Sequence, residues 1–175
     1  VHFSELKTNE INQTELVAAL INCEDSLVAG LQRVQEVVDG SCSTLILTED
    51  CLYAARDRLG RTPIALGHKE GAYAVTFETS ALPNLGYEIE RQLRPGEVVR
   101  VTADSVEQLL PPGDGMQICS FLWVYYGYPA SSYEGVNTEV ARNRCGAALA
   151  RRDKAAIDLV AGIPDSGVGH AIGYA

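Results

Sequence analysis

The chain has 175 residues, of which 46% are hydrophobic and 21% charged, and its formal net charge is −9. These values are typical of a soluble globular protein of one domain, or of one domain and part of another. The negative charge and the lack of a basic stripe argue against nucleic-acid binding, and no apolar run approaches the ~18 residues of a membrane span. The five scattered cysteines predict free thiols in a reducing cytoplasm; they are Cys23, Cys42, Cys51, Cys119 and Cys145.

Two amphipathic helices are predicted before residue 41. Asn12 and Glu15 form a capping-box pattern just ahead of the first apolar face. The second helix is predicted to begin at Asp25 or Ser26 and to end at Gly40. Two such helices before a sheet predict a layer that covers one sheet face.

Residues 42–102 predict a meandering antiparallel sheet. Short aliphatic and β-branched runs alternate with turn residues; the runs lie at 45–47, 52–55, 63–66, 73–76 and 98–101. Because several runs are apolar on both sides, we expect the sheet to be covered on both faces. Residues 103–117 hold prolines, glycines and acidic residues, which predicts a surface hairpin and a linker at a domain boundary.

Four short motifs in this stretch occur in order and at a recognisable spacing. They are Ala55-Arg56-Asp57-x-x-Gly60-x-x-Pro63, Leu66-Gly67, Phe77-Glu78-Thr79-x-Ala81-Leu82 and Leu93-x-Pro95-Gly96-Glu97. Together they resemble the second half of a class II glutamine amidotransferase domain, which has the N-terminal-nucleophile hydrolase fold. Each motif alone also reads as a turn in a sheet, and the Arg56–Asp57 pair is interpreted as ordering its turn.

A second set of motifs follows residue 117. It consists of Cys119-Ser120-Phe121-Leu122-Trp123-Val124-Tyr125-Tyr126, then Tyr128-Pro129-Ala130-Ser131-Ser132, and an Ala-Arg-x-x-x-Gly pattern in a helix predicted at 136–150. This set resembles the start of the transferase domain of the amidophosphoribosyltransferase family, with Leu122, Tyr128 and Ala130 in place of a Glu, an Arg and an Asp. The implied fold class is α+β. Residues 1–103 would be part of an αββα sandwich, 104–117 a linker, and 118–175 the first α/β unit of a type I phosphoribosyltransferase domain.

The resemblance implies a cytoplasmic, homo-oligomeric enzyme of purine synthesis. It would transfer ammonia from glutamine to 5-phosphoribosyl 1-pyrophosphate, with Mg²⁺, and give 5-phosphoribosylamine. The family's nucleophile is a Cys at the mature N-terminus, where this sequence has Val1. We therefore expect an internal piece of a longer enzyme, inactive by itself.

Two alternatives stay open at this stage. One is another class II glutamine amidotransferase. The other is a non-catalytic relative that binds a nucleotide or a partner chain. Gln13 keeps the second alternative open, because it stands where the family has the Asp that holds the α-amino group of glutamine, and an amide supplies no carboxylate charge.

The candidate substrate site follows an apolar run at 158–163. The run lacks alternation, which predicts a parallel strand buried on both faces. Asp165, Ser166 and Gly167 would then form a phosphate-binding loop before a helix predicted from Ala171 onward. The resemblance implies that Ser166 contacts Mg²⁺ in a magnesium–pyrophosphate site. The structural alternative is that Ser166 caps the helix.

Cys119 is a candidate iron–sulfur ligand through the resemblance alone. In cluster-containing members of the family the equivalent Cys is one of four [4Fe–4S] ligands, and one Cys cannot hold a cluster. The alternative is a buried thiol beside Phe121 and Trp123. Of the other cysteines, those at 42, 51 and 145 are expected in the core and Cys23 is expected to be inert. The histidines at 2, 68 and 170 show no ligand spacing, and His68 is expected to be solvated in a turn.

Overall fold

The computed structural model describes residues 12–175, so Val1 and His2 lie outside the described residues. In chain order the elements are α1 (Gln13–Asn22), α2 (Leu27–Val37), β1 (Thr44–Leu47), β2 (Leu52–Ala55), β3 (Ala65–Lys69), β4 (Ala72–Thr76), α3 (Ala81–Asn84), β5 (Glu88–Gln92), β6 (Val98–Val101), β7 (Val106–Leu110), a π-helix (Leu122–Tyr126), β8 (Ser132–Tyr133), β9 (Val136–Asn137), α4 (Thr138–Ala150) and α5 (Ser166–Tyr174). The mixture of helices and sheets confirms the predicted α+β class. Among the described helices, none is both long and apolar enough to span a bilayer.

The described residues form two compact units. The first contains 12–64, 71–73 and 93–118, and the second contains 65–70, 74–92 and 119–175. Each unit thus draws on residues from more than one part of the sequence.

In the first unit, α1 and α2 begin where the capping residues predict. Asn12 Oδ1 accepts from the Glu15 N–H at 2.9 Å and Glu15 Oε2 accepts from the Asn12 N–H at 3.3 Å, which confirms the capping box. Ser26 Oγ accepts from the Ala29 N–H at 3.2 Å and caps α2. The second helix ends at Val37, before the predicted Gly40, because Val38 already has an extended backbone.

The sheet of the first unit has the strand order β1-β2-β6-β7 and is antiparallel throughout. Its core joins both helices to two central strands; the buried members are Ile21, Leu31, Val34, Ala55 and Val98. The strand β7 pairs with β6, so residues 103–117 supply only the second strand of a hairpin that begins at Val98.

A second sheet, of order β4-β3-β5, corrects the prediction of one meandering sheet. The runs predicted at 63–66 and 73–76 belong to this sheet, and β5 is a strand that the pattern missed. The sequence of β5, Glu-Ile-Glu-Arg-Gln, has too many charged residues to read as a strand, and its first three residues are exposed. It forms because its backbone pairs with β3, a long-range contact that local composition does not report.

The second unit also contains the helix pair α4 and α5. Asn137 Oδ1 accepts from the Val140 N–H at 3.0 Å and caps α4, so the predicted helix is confirmed with a later start. The helix α5 begins at Ser166, five residues before the predicted Ala171.

The predicted strand at 158–163 is wrong. The segment has no regular structure, and Leu159 and Ile163 are 84% and 83% exposed. A buried parallel strand needs neighbouring strands for its backbone groups, and none of the strands in residues 12–175 pairs with this segment. Leu159 and Ile163 therefore lie on an apolar surface, and the segment is not a strand of the described sheets.

Candidate functional site

A cavity of about 1020 Å³ lies in the second unit. Its walls come from the turn after β4, the π-helix with the segment behind it, the first turns of α4, and the start of α5. Glu78, Tyr128, Glu139, Asp165 and Ser166 are among the lining residues. The cavity thus collects residues that are far apart in the sequence.

Two of the three predicted substrate residues line this cavity. Asp165 precedes α5 and Ser166 is its first residue, so both stand at the N-terminus of a nine-residue helix. Gly167 follows inside the helix and is not a lining residue. The predicted loop is therefore a helix start. Ser166 is not the N-cap residue, since that position is Asp165, and no side chain makes a capping hydrogen bond there.

Gly169 lets α4 and α5 approach each other beside the cavity. A Cβ atom added at Gly169 would lie 2.7 Å from Glu139 Oε2, so the carboxylate of Glu139 occupies the space that a side chain would need. Glu139 Oε1 accepts from Asn143 Nδ2 at 3.2 Å. The first turn of α5 therefore has a carboxylate packed against its backbone.

The donor set at this place suits Mg²⁺ better than a metal that needs a full protein cage. Asp165 and Ser166 offer a carboxylate and a hydroxyl oxygen to the cavity. Within residues 12–175, no group of three or more His, Cys, Asp or Glu side chains forms a metal site. Mg²⁺ keeps several waters and needs one or two protein carboxylates together with substrate phosphates.

Two side chains, Arg142 and His170, donate hydrogen bonds to backbone carbonyls of the π-helix and of Gly127, the residue that follows it. Arg142 Nε donates to Trp123 O at 2.9 Å, and Arg142 Nη2 donates to Tyr125 O at 3.0 Å and to Gly127 O at 2.7 Å. His170, in the tautomer with a proton on Nε2, donates to Val124 O at 3.0 Å. Arg142 is only 2% exposed, so these bonds replace water at carbonyls that the short helix leaves open.

The carboxylate of Glu78 joins the turn after β4 to the segment that follows the π-helix. Tyr133 Oη donates to Glu78 Oε1 at 2.9 Å, Ser131 Oγ donates to the same oxygen, and the Tyr128 N–H donates to Oε2 at 3.3 Å. Burial is the largest cause that raises the pKa of the Tyr133 phenol above its usual value, and the hydrogen bond to Glu78 is the next. Neither Glu78 nor Arg142 was assigned a role from the sequence, although each lies inside a quoted motif.

In the first unit, the structural interpretation of Arg56 and Asp57 is confirmed. The buried Asp57 carboxylate accepts from Ser43 Oγ and from three backbone N–H groups. Arg56, also buried, donates to Gly60 O at 2.7 Å and to Leu93 O. Both side chains therefore order the turn through its backbone.

The cysteine and His68 expectations need correction. Cys119 is exposed, so the buried-thiol alternative is wrong. Cys51 and Cys145 are half-buried rather than in the core, whereas Cys42 is half-buried and packs against the core of the first unit. Within residues 12–175 no group of three or more possible metal ligands is present, and one Cys cannot hold a [4Fe–4S] cluster, so the ligand role of Cys119 stays a prediction. His68 lies in β3, not in a turn, with Nε2 3.8 Å from Glu88 Oε2.

Comparisons with known proteins identify relatives along the whole chain, although no family model matches it. It is 29% identical to an amidophosphoribosyltransferase of Archaeoglobus fulgidus over 100% of this chain and 41% of the relative. It is 36% identical to an amidophosphoribosyltransferase of Mycobacterium tuberculosis over 79% of this chain and 26% of the relative. Among solved structures, a glutamine phosphoribosylpyrophosphate amidotransferase from B. subtilis, complexed with ADP and GMP, matches with a TM-score of 0.85 and 29% identity over 95% of this chain and 38% of that chain. The chain thus spans well under half the length of these relatives.

Proposed function

Since this chain is homologous to part of the amidophosphoribosyltransferases, we propose that it is part of an enzyme that transfers ammonia from glutamine to 5-phosphoribosyl 1-pyrophosphate. In this reaction ammonia forms a bond to C1 of the ribose while the bond from C1 to pyrophosphate breaks. The products are 5-phosphoribosylamine and pyrophosphate. The proposal includes a cytoplasmic location, a homo-oligomer and dependence on Mg²⁺.

The observation that carries the proposal is the place of Asp165 and Ser166 at the start of α5, on the wall of the 1020 Å³ cavity. The first turn of a helix has backbone N–H groups without helical partners, and its dipole favours an anion. Within this turn the Gly167 N–H donates to Ile163 O at 3.0 Å and the Val168 N–H donates to Asp165 O at 3.3 Å, so the attraction for an anion comes from the helix dipole rather than from these two N–H groups. This helix start is therefore suited to the pyrophosphate group of the substrate.

The charges around the cavity favour binding of the pyrophosphate together with a cation. Glu78, Glu139 and Asp165 bring three carboxylates to the lining, against the single guanidinium of Arg142. Three of the donor contacts of that guanidinium already go to backbone carbonyls. A bare pyrophosphate would meet net negative charge, and repulsion at short range costs several kcal/mol at low effective dielectric.

Asp165 and Ser166 are the residues that would hold Mg²⁺ at the helix start. Bound there, the ion would supply positive charge to the departing pyrophosphate. The Ser166 hydroxyl can donate to a phosphate oxygen, and Tyr125, Tyr126 and Tyr128 line the same cavity. Cys119 is not given a step in this reaction.

The test is the Ser166→Ala variant of the full-length protein, assayed with ammonia as nitrogen donor. We expect the Mg²⁺ requirement, or the KM for phosphoribosyl pyrophosphate, to rise about tenfold, because one oxygen ligand is lost. Hydrolysis of glutamine should continue. Ser120→Ala is the matched control, since Ser120 is exposed and does not line the cavity.

Two results would contradict the proposal at different levels. Unchanged substrate kinetics in Ser166→Ala would remove the assignment of this residue. A wild-type protein that binds neither phosphoribosyl pyrophosphate nor glutamine would favour the non-catalytic alternative, in which Gln13 in place of the expected Asp reflects a lost glutamine site.

A further inference from the structure

The hydrogen bonds of Glu78 reach across more than 50 residues of sequence. The residue lies in the turn after β4, and its carboxylate accepts from Tyr128, Ser131 and Tyr133. Tyr133 and Ser131 are fully buried. A buried hydroxyl that loses its acceptor cannot turn to water instead, so these donors depend on the carboxylate.

The two residues after Glu78 attach to the same segment. Thr79 Oγ1 donates to Ser132 O at 3.2 Å and accepts from the Ser132 N–H at 2.9 Å. The Ser80 N–H donates to Ser131 Oγ at 3.0 Å. Including the three bonds of Glu78, six hydrogen bonds thus join residues 78–80 to residues 128–133.

The segment fixed in this way is a wall of the cavity. Tyr128 and Pro129 line it, as do Glu78 and Ser80. Pro129 has no backbone N–H, and the hydrogen bond of the Tyr128 N–H goes to Glu78. Asn137 Nδ2 also donates to Pro129 O at 3.1 Å and to Ser131 O at 3.2 Å, so the wall is held on one side by the start of α4 and on the other by the carboxylate of Glu78.

We propose that Glu78 is a positioning residue, which sets the cavity wall at 128–131 and links it to the turn after β4. Glu78 belongs to the residues that resemble the amidotransferase half, and its partners belong to those that resemble the transferase half. If the turn after β4 moves, the hydrogen bonds of Glu78 therefore move the cavity wall at 128–131 with it. This inference rests on the proposed function for its kinetic consequence, but not for its structural one.

The kinetic test compares Glu78→Gln with Glu88→Gln in the full-length protein. The amide keeps the size of Glu78 but replaces one acceptor oxygen with a donor that faces another donor. With ammonia as nitrogen donor, we expect the KM for phosphoribosyl pyrophosphate to rise about tenfold while kcat changes less than about twofold, because the wall is displaced but no reacting group is lost. The side chain of Glu88 is 86% exposed, and Glu88→Gln should match the wild type.

The structural test measures amide hydrogen exchange at residues 128–133 of the same proteins. Exchange in Glu78→Gln should be about tenfold faster than in the wild type at this segment, and unchanged in the middle of α4. Tyr133→Phe removes one bond while keeping the buried ring, and should give a smaller increase. This readout needs no activity, so it tests Glu78 even if the wild type proves inactive and the proposed function fails.

Unchanged exchange at 128–133 in a folded Glu78→Gln protein would overturn the inference. An unchanged KM, with lower stability as the only effect, would also overturn it, because it would show that Glu78 stabilises the fold without setting the site.

Discussion

Replacement of Gly146 by alanine should separate α4 from α5. A Cβ atom built at Gly146 lies 1.9 Å from His170 O and 2.8 Å from Tyr174 N. Both contacts are to backbone atoms of α5, so no side-chain rotation can relieve them. At the matching place on α5, a Cβ at Gly173 lies 2.0 Å from Asn143 O. The two helices approach closely because neither carries a side chain at these points.

Two opposing effects set the size of the change. Alanine is favoured over glycine inside a helix by about 1 kcal/mol. A carbon and a carbonyl oxygen need roughly 3.2 Å, so the helices must move apart by more than about 1 Å, and inserting one methyl into a packed interface costs about 1–3 kcal/mol or more. Because the clash is with rigid backbone, we take the upper part of that range. Gly146→Ala should therefore lower the free energy of unfolding by about 1–2 kcal/mol.

The assay is denaturant unfolding followed by the fluorescence of Trp123, the single tryptophan of the chain. Trp123 lies in the π-helix that Arg142 of α4 and His170 of α5 both contact, so it reports on this helix pair. Gly40→Ala is the control, since a Cβ there meets nothing within 4 Å. The double variant Gly146→Ala, Gly173→Ala should cost less than the sum of the single ones, because helices already separated by one methyl can accept a second.

A Gly146→Ala protein that is as stable as the wild type, or more stable by the ~1 kcal/mol of helix propensity, would refute this reasoning. So would strict additivity in the double variant, since it would show that the two glycines do not share one interface.

Two further predictions concern buried polar groups. Asp57→Asn should lower the free energy of unfolding by about 2–4 kcal/mol, because the amide nitrogen would face donors that now bond to Oδ1 or Oδ2; chemical denaturation beside the exposed control Asp50→Asn measures it, and equal losses would contradict it. The pKa of Tyr133 is raised by burial and by its bond to Glu78, so the unfolded state loses its proton first and stability should fall as pH rises above about 10. Tyr133→Phe should reduce this fall but not abolish it, because the pKa values of Tyr53 and Tyr174 are also raised. An unchanged slope between about pH 9 and 11 would count against the role of Tyr133.

The sequence by itself determined the features that rest on neighbouring residues. The caps at Asn12 and Ser26 bond to backbone groups three residues away, so a local pattern was enough to place the starts of α1 and α2. The ordered turn at Arg56 and Asp57 was also predictable, because Asp57 bonds to N–H groups within five residues of itself. The resemblance to amidophosphoribosyltransferases, made on such motifs, is confirmed by the relatives.

The tertiary structure alone decided which strands share a sheet and which side chains meet at the cavity. The apolar run at 158–163 looked like a buried strand, yet Leu159 and Ile163 are exposed because no described strand pairs with it. The charged β5 is a strand because β3 offers it a partner. Glu78 meets Tyr133 across 55 positions, and Arg142 reaches carbonyls up to 19 positions away. Local propensity and periodicity act over a few residues, whereas pairing and side-chain satisfaction depend on which distant segments the folded chain brings together.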